Sequence, residues 1–166
     1  GPCAFMDNFH QGRVFSSIDQ QGRYAFGNQP NIAVWNMAQF ASSLLQLYED
    51  PSDVVDEATQ IVHAMPQLIE DHWLARFGAK IGLNAPKPSE TELIEDLMAL
   101  MQKDGADFTN TFSALGTDKA RDQFTDRDAF DQWNQRWQDR LASESDPTAV
   151  MAATNPVIIP RNHRVE

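Results

Sequence analysis

Residues 30–48 have the sequence PNIAVWNMAQFASSLLQLY, in which apolar residues recur at steps of three and four. This spacing places them on one face of an α-helix, so we expect a helix with a buried stripe. Pro30 suits the first helical turn, because the amide that proline lacks would have no partner there. The predicted stripe consists of Ile32, Trp35, Ala38, Ala41, Leu44, Leu45 and Tyr48.

A second helix is predicted directly downstream. Asp50 and Pro51 are typical of an N-cap and a first helical position. Pro66 should kink or restart this helix, because proline removes an internal hydrogen bond. The apolar period then continues to Ile81, and Gly82 is expected to end the helix. The predicted stripe consists of Val54, Val55, Ala58, Ile61, Val62 and Met65, then Leu68, Ile69, Trp73 and Phe77.

The remaining sequence also has a helical pattern. Ser89 and Glu92 have the spacing of a capping box, which predicts a helix that Gly105 breaks. A short helix follows over residues 108–115, and residues 117–125 are predicted to form a surface loop. Two more helices are expected: one with an aromatic stripe at Phe130, Trp133 and Trp137, and a last one opened by Asp146-Pro147.

These patterns predict a mainly α fold. No strand alternation is visible beyond residue 30, whereas residues 1–29 are irregular and rich in glycine. We therefore expect an irregular region over 1–30, a helical, bundle-like domain over 31–154 and a C-terminal tail over 155–166. A loop as long as the first region is uncommon unless it has a function or packs against something.

Composition narrows the classes of partner. The net charge is −11, which repels phosphate backbones and anionic membranes, so neither a nucleic-acid nor a membrane partner is expected. Cys3 is the single cysteine and can form neither an internal disulfide nor a cysteine-based zinc site. We find no signal-peptide pattern and no long apolar run, and expect a cytoplasmic protein.

The helical part offers no set of residues suited to catalysis. Glu70, Asp71 and His72 are adjacent, but consecutive helical residues point in different directions, so a metal site is not expected. A phosphate-binding loop of the Walker type and a nucleophile elbow are both absent from the sequence. A small hydrolase or metal enzyme therefore fits poorly. The aromatic stripe of Phe130, Trp133 and Trp137 is interpreted as core rather than as a base-stacking surface.

Residues 22–30, with the sequence GRYAFGNQP, are dense in hydrogen-bonding and special-backbone residues. This segment is similar to the selenoprotein O family, as are residues 1–7, Trp35-Asn36, residues 106–109, Thr111-Phe112, Asn155-Pro156 and residues 160–163. The resemblance covers essentially the whole chain. Of its motifs, Gly-Arg-Tyr followed by Asn-Gln-Pro is the most specific.

The resemblance implies a kinase-like fold that transfers AMP from ATP to protein hydroxyl groups, with a divalent metal on the phosphates. Gly1-Pro2 would be the end of an Asp-Tyr-Gly-Pro motif whose aspartate binds the metal. The family's nucleotide-binding lysine, helix glutamate and metal-binding asparagine would also lie upstream. The resemblance thus implies a catalytically inert part of a longer protein, equivalent to the C-terminal lobe of a kinase fold.

The family likeness assigns no catalytic or metal-binding residue to this chain. Its activation-segment candidates are Gly1, Arg23, Tyr24, Asn28 and Gln29. ATP and Mg²⁺ are implied for the full-length parent only. The implied partners are the missing N-terminal lobe, a protein substrate and further copies of the chain through exposed apolar surface. Phe15 stands where some members have a redox cysteine, so redox regulation is not inferred.

An alternative interpretation is a helical protein–protein interaction module without catalytic activity. An apolar surface left by a missing lobe would imitate such a module. If residues 1–30 normally pack on an absent lobe, we expect them to be poorly ordered or held by a neighbouring copy. A segment fully packed within a closed monomer would count against the fragment hypothesis.

Overall fold

The structure is a computed structural model that describes residues 5–161, the side chain of Asp53 excepted. It confirms a mainly α fold. The helices are α1 Gln29–Leu44, α2 Ser52–Lys80, α3 Thr91–Asp104, α4 Phe108–Ala114, α5 Arg127–Leu141 and α6 Pro147–Thr154. Within residues 5–161, the β-structure consists of one isolated antiparallel bridge between Asn8 and Asp107. No helix in this range is long and apolar enough to cross a membrane.

The core lies where α3 and α5 pack together, beside the end of α2, α4 and α6. Trp133 and Trp137 on α5 are almost fully buried and stack with their ring centres 5.3 Å apart. Each indole N–H has a backbone acceptor at 2.8 Å, Leu93 for Trp133 and Ile81 for Trp137. These bonds satisfy the polar edge of each ring and join α5 to two other parts of the chain. The prediction that this aromatic stripe is core is confirmed.

The first helical stripe is not buried as predicted. Trp35 is 48% exposed and Tyr48 is 52% exposed, and α1 contains no buried residue. The physical reason is that α1 packs mainly against α2, so one neighbour covers only part of its apolar face. The same holds for the first half of α2, where Ile61 is 60% exposed. A half-exposed helical hairpin therefore extends from the core.

Helix α2 is continuous through Pro66, where the sequence predicted a kink or a restart. It runs from Ser52 to Lys80 with Pro66 inside it, so the expected restart does not occur. Asp50 Oδ1 does accept hydrogen bonds from the backbone and side chain of Ser52, but Pro51 rather than Asp50 occupies the N-cap position. After α2, Gly82 adopts a left-handed conformation with φ of +88°, as expected for a residue that ends a helix.

The predicted capping box at Ser89 and Glu92 is wrong. Residues Pro88–Glu90 form a 3₁₀ turn, and the carboxylate of Glu90 accepts a 2.6 Å hydrogen bond from the Lys87 amide. The proline at position 88 favours this earlier start, since its fixed φ suits a first turn. Gly105 ends α3 in the left-handed conformation, as predicted.

Residues 117–125 are more structured than the predicted surface loop. They include a 3₁₀ turn at Ala120–Gln123, and both Ala120 and Phe124 are buried. Phe124 stacks on Phe130 of α5 with ring centres 4.6 Å apart. Two apolar residues in nine are too few to show a period, so this packing has no counterpart in the sequence pattern.

Candidate functional site

The irregular N-terminal segment is attached to the helical core by backbone hydrogen bonds. The Phe9 amide donates to the Ala106 carbonyl at 2.9 Å, and the Phe108 amide donates to the Asp7 carbonyl at 2.7 Å. Phe9 is buried, and its ring contacts Phe26 and Phe108. These contacts fix residues 6–9 across the junction between α3 and α4.

Residues 10–28 then form a loop that closes on itself. The carboxylate of Asp19 accepts the backbone amides of Arg23 and Tyr24, both at 2.8 Å. Gly22 has φ of +67°, a conformation that glycine adopts without steric cost. The amides of Phe26 and Gly27 donate back to Arg13 and Gln11. An acidic side chain and a glycine turn thus set the position of the Gly-Arg-Tyr sequence.

Four of the predicted activation-segment candidates lie in or beside this loop. The guanidinium of Arg23 lies 4.2 Å from the ring centre of Trp35 and 5.8 Å from that of Tyr24. Asn28 Nδ2 donates to the Arg23 carbonyl at 2.7 Å, while its Oδ1 accepts from Asn31. Gln29 is the first residue of α1. The fifth candidate, Gly1, lies outside the described residues.

The segment is only partly packed within the chain. Met6, Phe9 and Ala25 are buried, whereas Ile18 is 90% exposed and Tyr24 is 48% exposed. The segment is neither fully packed, which would count against the fragment hypothesis, nor without contacts to its own chain, as that hypothesis led us to expect. One side of it rests on the helical core, and the other side is open.

A cavity of about 1080 Å³ separates the loop from the ends of α2 and α4. Its walls are largely aromatic and aliphatic, and they come from the N-terminal segment, α4 and the tail after α6. The aromatic lining residues are Phe5, Phe15, Tyr24, Phe26, Phe108 and Phe112. Arg23, Gln29 and Lys80 also reach it. Three of the predicted candidates, Arg23, Tyr24 and Gln29, therefore line the same cavity as Lys80.

Lys80 is the unusual charge of this cavity. Its ammonium nitrogen lies 5.1 Å from the ring centre of Phe112 and 5.5 Å from that of Phe108. Within the described part of the chain, no carboxylate lies within 4 Å of it, and its polar contact is the side-chain oxygen of Asn155 at 3.4 Å. Burial lowers the pKa of Lys80, because removal from water disfavours the charged form.

Asn155 holds the polypeptide around Lys80 in place. Its side-chain amide donates to the carbonyl of Lys80 at 2.8 Å and to that of Phe112 at 3.1 Å. Asn155 is buried and follows α6 directly. The ends of α2 and α4 are therefore joined through one side chain, which gives the aromatic floor of the cavity a fixed geometry.

Arg161 connects the tail to the start of the segment. Its guanidinium donates to the carboxylates of Asp7 and Asp107. Asp107 is also the N-cap of α4 and accepts the Asn110 amide at 2.8 Å. Hydrogen bonds to both carboxylates raise the pKa of Arg161, so this guanidinium stays charged. One cation thus joins the tail, the segment and α4.

The described residues provide no metal-binding group of three or more histidine, cysteine, aspartate or glutamate side chains. Glu70, Asp71 and His72 are all exposed on α2, where the Asp71 carboxylate accepts a hydrogen bond from Gln67 at 3.0 Å. This donor set does not fit the magnesium ion that the family likeness implies. No residue of the described chain is therefore assigned to a metal.

The roles of three residues of this region were not predicted from the sequence. Asp19 closes the loop, Lys80 lies in the cavity, and Arg161 joins the tail to Asp7 and Asp107. Asp19 stands three residues before Gly22, and an acidic residue at that distance from a turn glycine is a local signal that could have been used. Lys80 carries no such signal, since a lysine at a helix end is ordinarily solvated. Its position beside Asn155 depends on a contact across 75 residues.

Comparisons with known proteins agree over the whole sequence. A family model described as protein adenylyltransferase SelO matches residues 1–166. The chain is 61% identical over its full length to the protein nucleotidyltransferase YdiU of Ruegeria sp. strain TM1040, and 63% identical to that of Roseobacter denitrificans. A more distant relative with the same name, from Bacillus cytotoxicus, is 46% identical over 172 aligned positions. The chain covers 35% of the length of each of these three relatives.

Proposed function

The chain belongs to the protein adenylyltransferase SelO family, and from this membership we propose that it works as part of an enzyme that transfers AMP from ATP to hydroxyl groups of proteins. The observation that carries the proposal is the match of the family model to all 166 residues. In the proposed reaction a protein hydroxyl oxygen bonds to the α-phosphorus of ATP. The bond from that phosphorus to the β-phosphate oxygen breaks, the hydroxyl proton is released, and pyrophosphate leaves.

We assign this chain a positioning role in that enzyme rather than a catalytic one. The segment of residues 5–28 is fastened to the core at Phe9 and closed by Asp19, so its open side has a defined shape. Arg23, Tyr24 and Gln29 are exposed, and Asn28 is hydrogen-bonded to the Arg23 carbonyl. ATP and Mg²⁺ would be bound by residues outside residues 1–166, and the chain by itself would be inactive.

A second candidate function is favoured by one observation, the apolar surface of the α1–α2 hairpin. Trp35, Phe40 and Tyr48 are each about half exposed, which is typical of a surface that binds another protein or another part of the same protein. In a pure interaction module this surface would bind its partner without any nucleotide chemistry. The adenylyltransferase proposal instead treats it as a contact within a longer enzyme.

The test uses a chimera. The matched region of the Ruegeria relative is replaced by these 166 residues, which align with it over their whole length. We expect the chimera to incorporate radiolabel from α-³²P-ATP into protein, and the 166-residue chain alone to incorporate none. Label from γ-³²P-ATP should not be incorporated, since the β- and γ-phosphates leave as pyrophosphate. If the chimera is folded but transfers no AMP, while the unmodified Ruegeria protein does, the proposal is contradicted. The interaction module would then be the better-supported function.

A further inference from the structure

We propose that the cavity around Lys80 is a docking site for a segment of the full-length polypeptide that lies outside residues 1–166 and carries a carboxylate between apolar side chains. The inference rests on the proposed function, because it treats the chain as part of a longer enzyme. It goes further in assigning the site, its occupant and the group that recognises it.

The positive charge of Lys80 has no acidic partner among the described residues. Lys80 is one of 13 basic residues in a chain with 24 acidic ones, yet among residues 5–161 no acidic side chain forms an ion pair with it. An ammonium group can donate three hydrogen bonds, and Asn155 supplies one acceptor at the long distance of 3.4 Å. A partly buried cation with so few acceptors is costly to maintain unless a partner completes it.

The charged residues of the surrounding walls favour an acidic occupant. Asp19 also lines the cavity, but its two carboxylate oxygens already accept the backbone amides of Arg23 and Tyr24. Arg23, the other cation of the lining, is stacked on Trp35. Two basic residues thus stand against one acidic residue in the lining, which also contains six aromatic rings, and the complementary occupant is a carboxylate flanked by apolar groups.

The volume of the cavity and the length of the relatives both suit a polypeptide segment as the occupant. A cavity of about 1080 Å³ is at the upper end of the range for small-molecule sites. The three relatives compared above are almost three times as long as this chain, so a protein of the family's usual length has ample polypeptide to fill it. Phe5 and Met6 of the N-terminal segment also form part of the wall.

Zero-length cross-linking in the chimera tests this proposal. A carbodiimide joins a lysine to a carboxylate only where the two are in contact, and mass spectrometry identifies the pair. We expect Lys80 to be linked to an aspartate or glutamate outside the 166-residue region. The positive control is Lys103, whose ammonium lies 2.7 Å from the Asp126 carboxylate and should be linked to it in both the chimera and the chain alone.

Several outcomes would overturn the proposal. If the Lys103 link forms and Lys80 is linked to nothing, or only to a carboxylate within residues 1–166, the assigned occupant is wrong. A mixture of ¹⁴N- and ¹⁵N-labelled chimera distinguishes one further case, since a link between the two labels would show that a second copy supplies the carboxylate. That result would also contradict the proposal, which assigns the carboxylate to the same polypeptide as Lys80.

Thermal unfolding of the Lys80→Met variant gives an independent readout. In the chain alone the substitution removes a poorly solvated charge, so Tm should stay the same or rise. In the chimera it should remove an ion pair and lower Tm by about 2–5 °C. Equal shifts in the two proteins would contradict the proposal. If Lys80 is cross-linked as expected but the chimera transfers no AMP, the proposed function is contradicted and the docking site is supported. If the chimera transfers AMP but Lys80 is not cross-linked, the docking site is contradicted and the proposed function is supported.

Discussion

Two cations of this chain show how differently a positive charge can be placed. Arg161 is held by the carboxylates of Asp7 and Asp107, whereas Lys80 faces two aromatic rings without an acidic partner among the described residues. The planar guanidinium can donate to both carboxylates at once, which suits a structural clamp. The compact ammonium of a lysine needs close acceptors and is costly where they are missing. We therefore interpret Arg161 as structural and Lys80 as a recognition group.

Arg161→Ala should lower the free energy of unfolding by about 1 kcal/mol, because two partly exposed carboxylates lose their shared partner. Chemical denaturation of the chain measures this difference. Arg161→Lys should recover only part of it, since a lysine cannot donate in the same forked geometry. The matched control is Arg127→Ala, which breaks an exposed 3.3 Å pair with Asp122 and should have no measurable effect. Equal effects of the two alanine substitutions would show that Arg161 is not a clamp.

Glu90 gives a pH-dependent prediction. Burial alone would raise its pKa, but hydrogen bonds from Arg140 and from the Lys87 amide outweigh burial and lower the pKa below the ordinary value of 4.5. A carboxylate with a lowered pKa stabilises the fold above its ordinary pKa, and this contribution is lost as the pH falls through the lowered value. The wild-type chain should therefore be more stable than Glu90→Gln at pH 7, and the difference should vanish in acid.

Denaturation curves of both proteins between about pH 2.5 and pH 7 check this expectation. The control variant is Glu92→Gln on α3, for which the structure records no salt bridge among the described residues. A difference between wild type and Glu90→Gln that persists unchanged in acid would show that the ionised carboxylate is not what stabilises the contact.

At the scale of secondary-structure elements, helix starts depend on single capping groups. Asp146-Pro147 was predicted to open a helix, and Asp146 accepts the Ala149 amide at 3.0 Å at the start of α6. Ser89, which was predicted as a cap, lies inside a 3₁₀ turn and makes no capping bond. The two residues therefore form a matched pair for testing which helix starts are capped by side chains.

Asp146→Ala should destabilise the chain by about 1 kcal/mol, the usual cost of losing an N-cap side chain. Ser89→Ala should leave the stability unchanged, because the Ser89 side chain makes no capping hydrogen bond in the structure. Chemical denaturation of both variants decides between the two cap assignments. A large loss of stability in Ser89→Ala would show instead that Ser89 caps the helix, as the sequence predicted.

The elements that the sequence predicted well are those set by local pattern. Gly105, Asp146 and the stripe of Trp133 and Trp137 each act within a few residues, so the printed sequence contains their cause. Pro66 was expected to kink or restart α2, and no restart occurs, because the packed second half of the helix holds the chain in place. Tertiary packing can override a local breaker, and the sequence pattern alone does not show when it will.

The candidate site was predictable in part for the same reason. The Gly-Arg-Tyr and Asn-Gln-Pro residues stood out as a dense local motif, and Asn28 is bonded to Arg23 in the structure. The cavity beside them was not predictable, because Lys80, Asn155 and Phe112 meet only through the fold. The partial burial of a charge is a tertiary property, and composition gives no sign of which lysine will have it.

At the scale of the whole molecule, the apolar surface is unevenly distributed. The core around α3 and α5 is closed, whereas the α1–α2 hairpin leaves large apolar side chains in solvent. Phe40 is 54% exposed and Leu47 is 79% exposed. Surfaces of this kind mark contacts with other proteins or other domains. The proposed longer enzyme would cover this hairpin, and the chain alone leaves it available for self-association.

The chain alone should therefore form oligomers with increasing concentration, and Phe40→Glu with Leu47→Glu should reduce them by placing charge on the hairpin. Light scattering coupled to size-exclusion chromatography measures the mass directly. A control pair, Thr59→Glu with Gln60→Glu, adds the same charge at exposed polar positions of α2 and should change the mass little. Monomers at every concentration would show that the hairpin has no affinity for a second copy.

Under the proposed function, this chain belongs to an AMP-transferring enzyme but does not contain its nucleotide site. Calorimetric titration of ATP with magnesium into the 166-residue chain, beside the same titration into the chimera, tests it most directly. We predict no detectable binding heat for the chain and clear binding for the chimera. Near-stoichiometric binding by the chain alone would contradict the account, because the nucleotide site would then lie within residues 1–166.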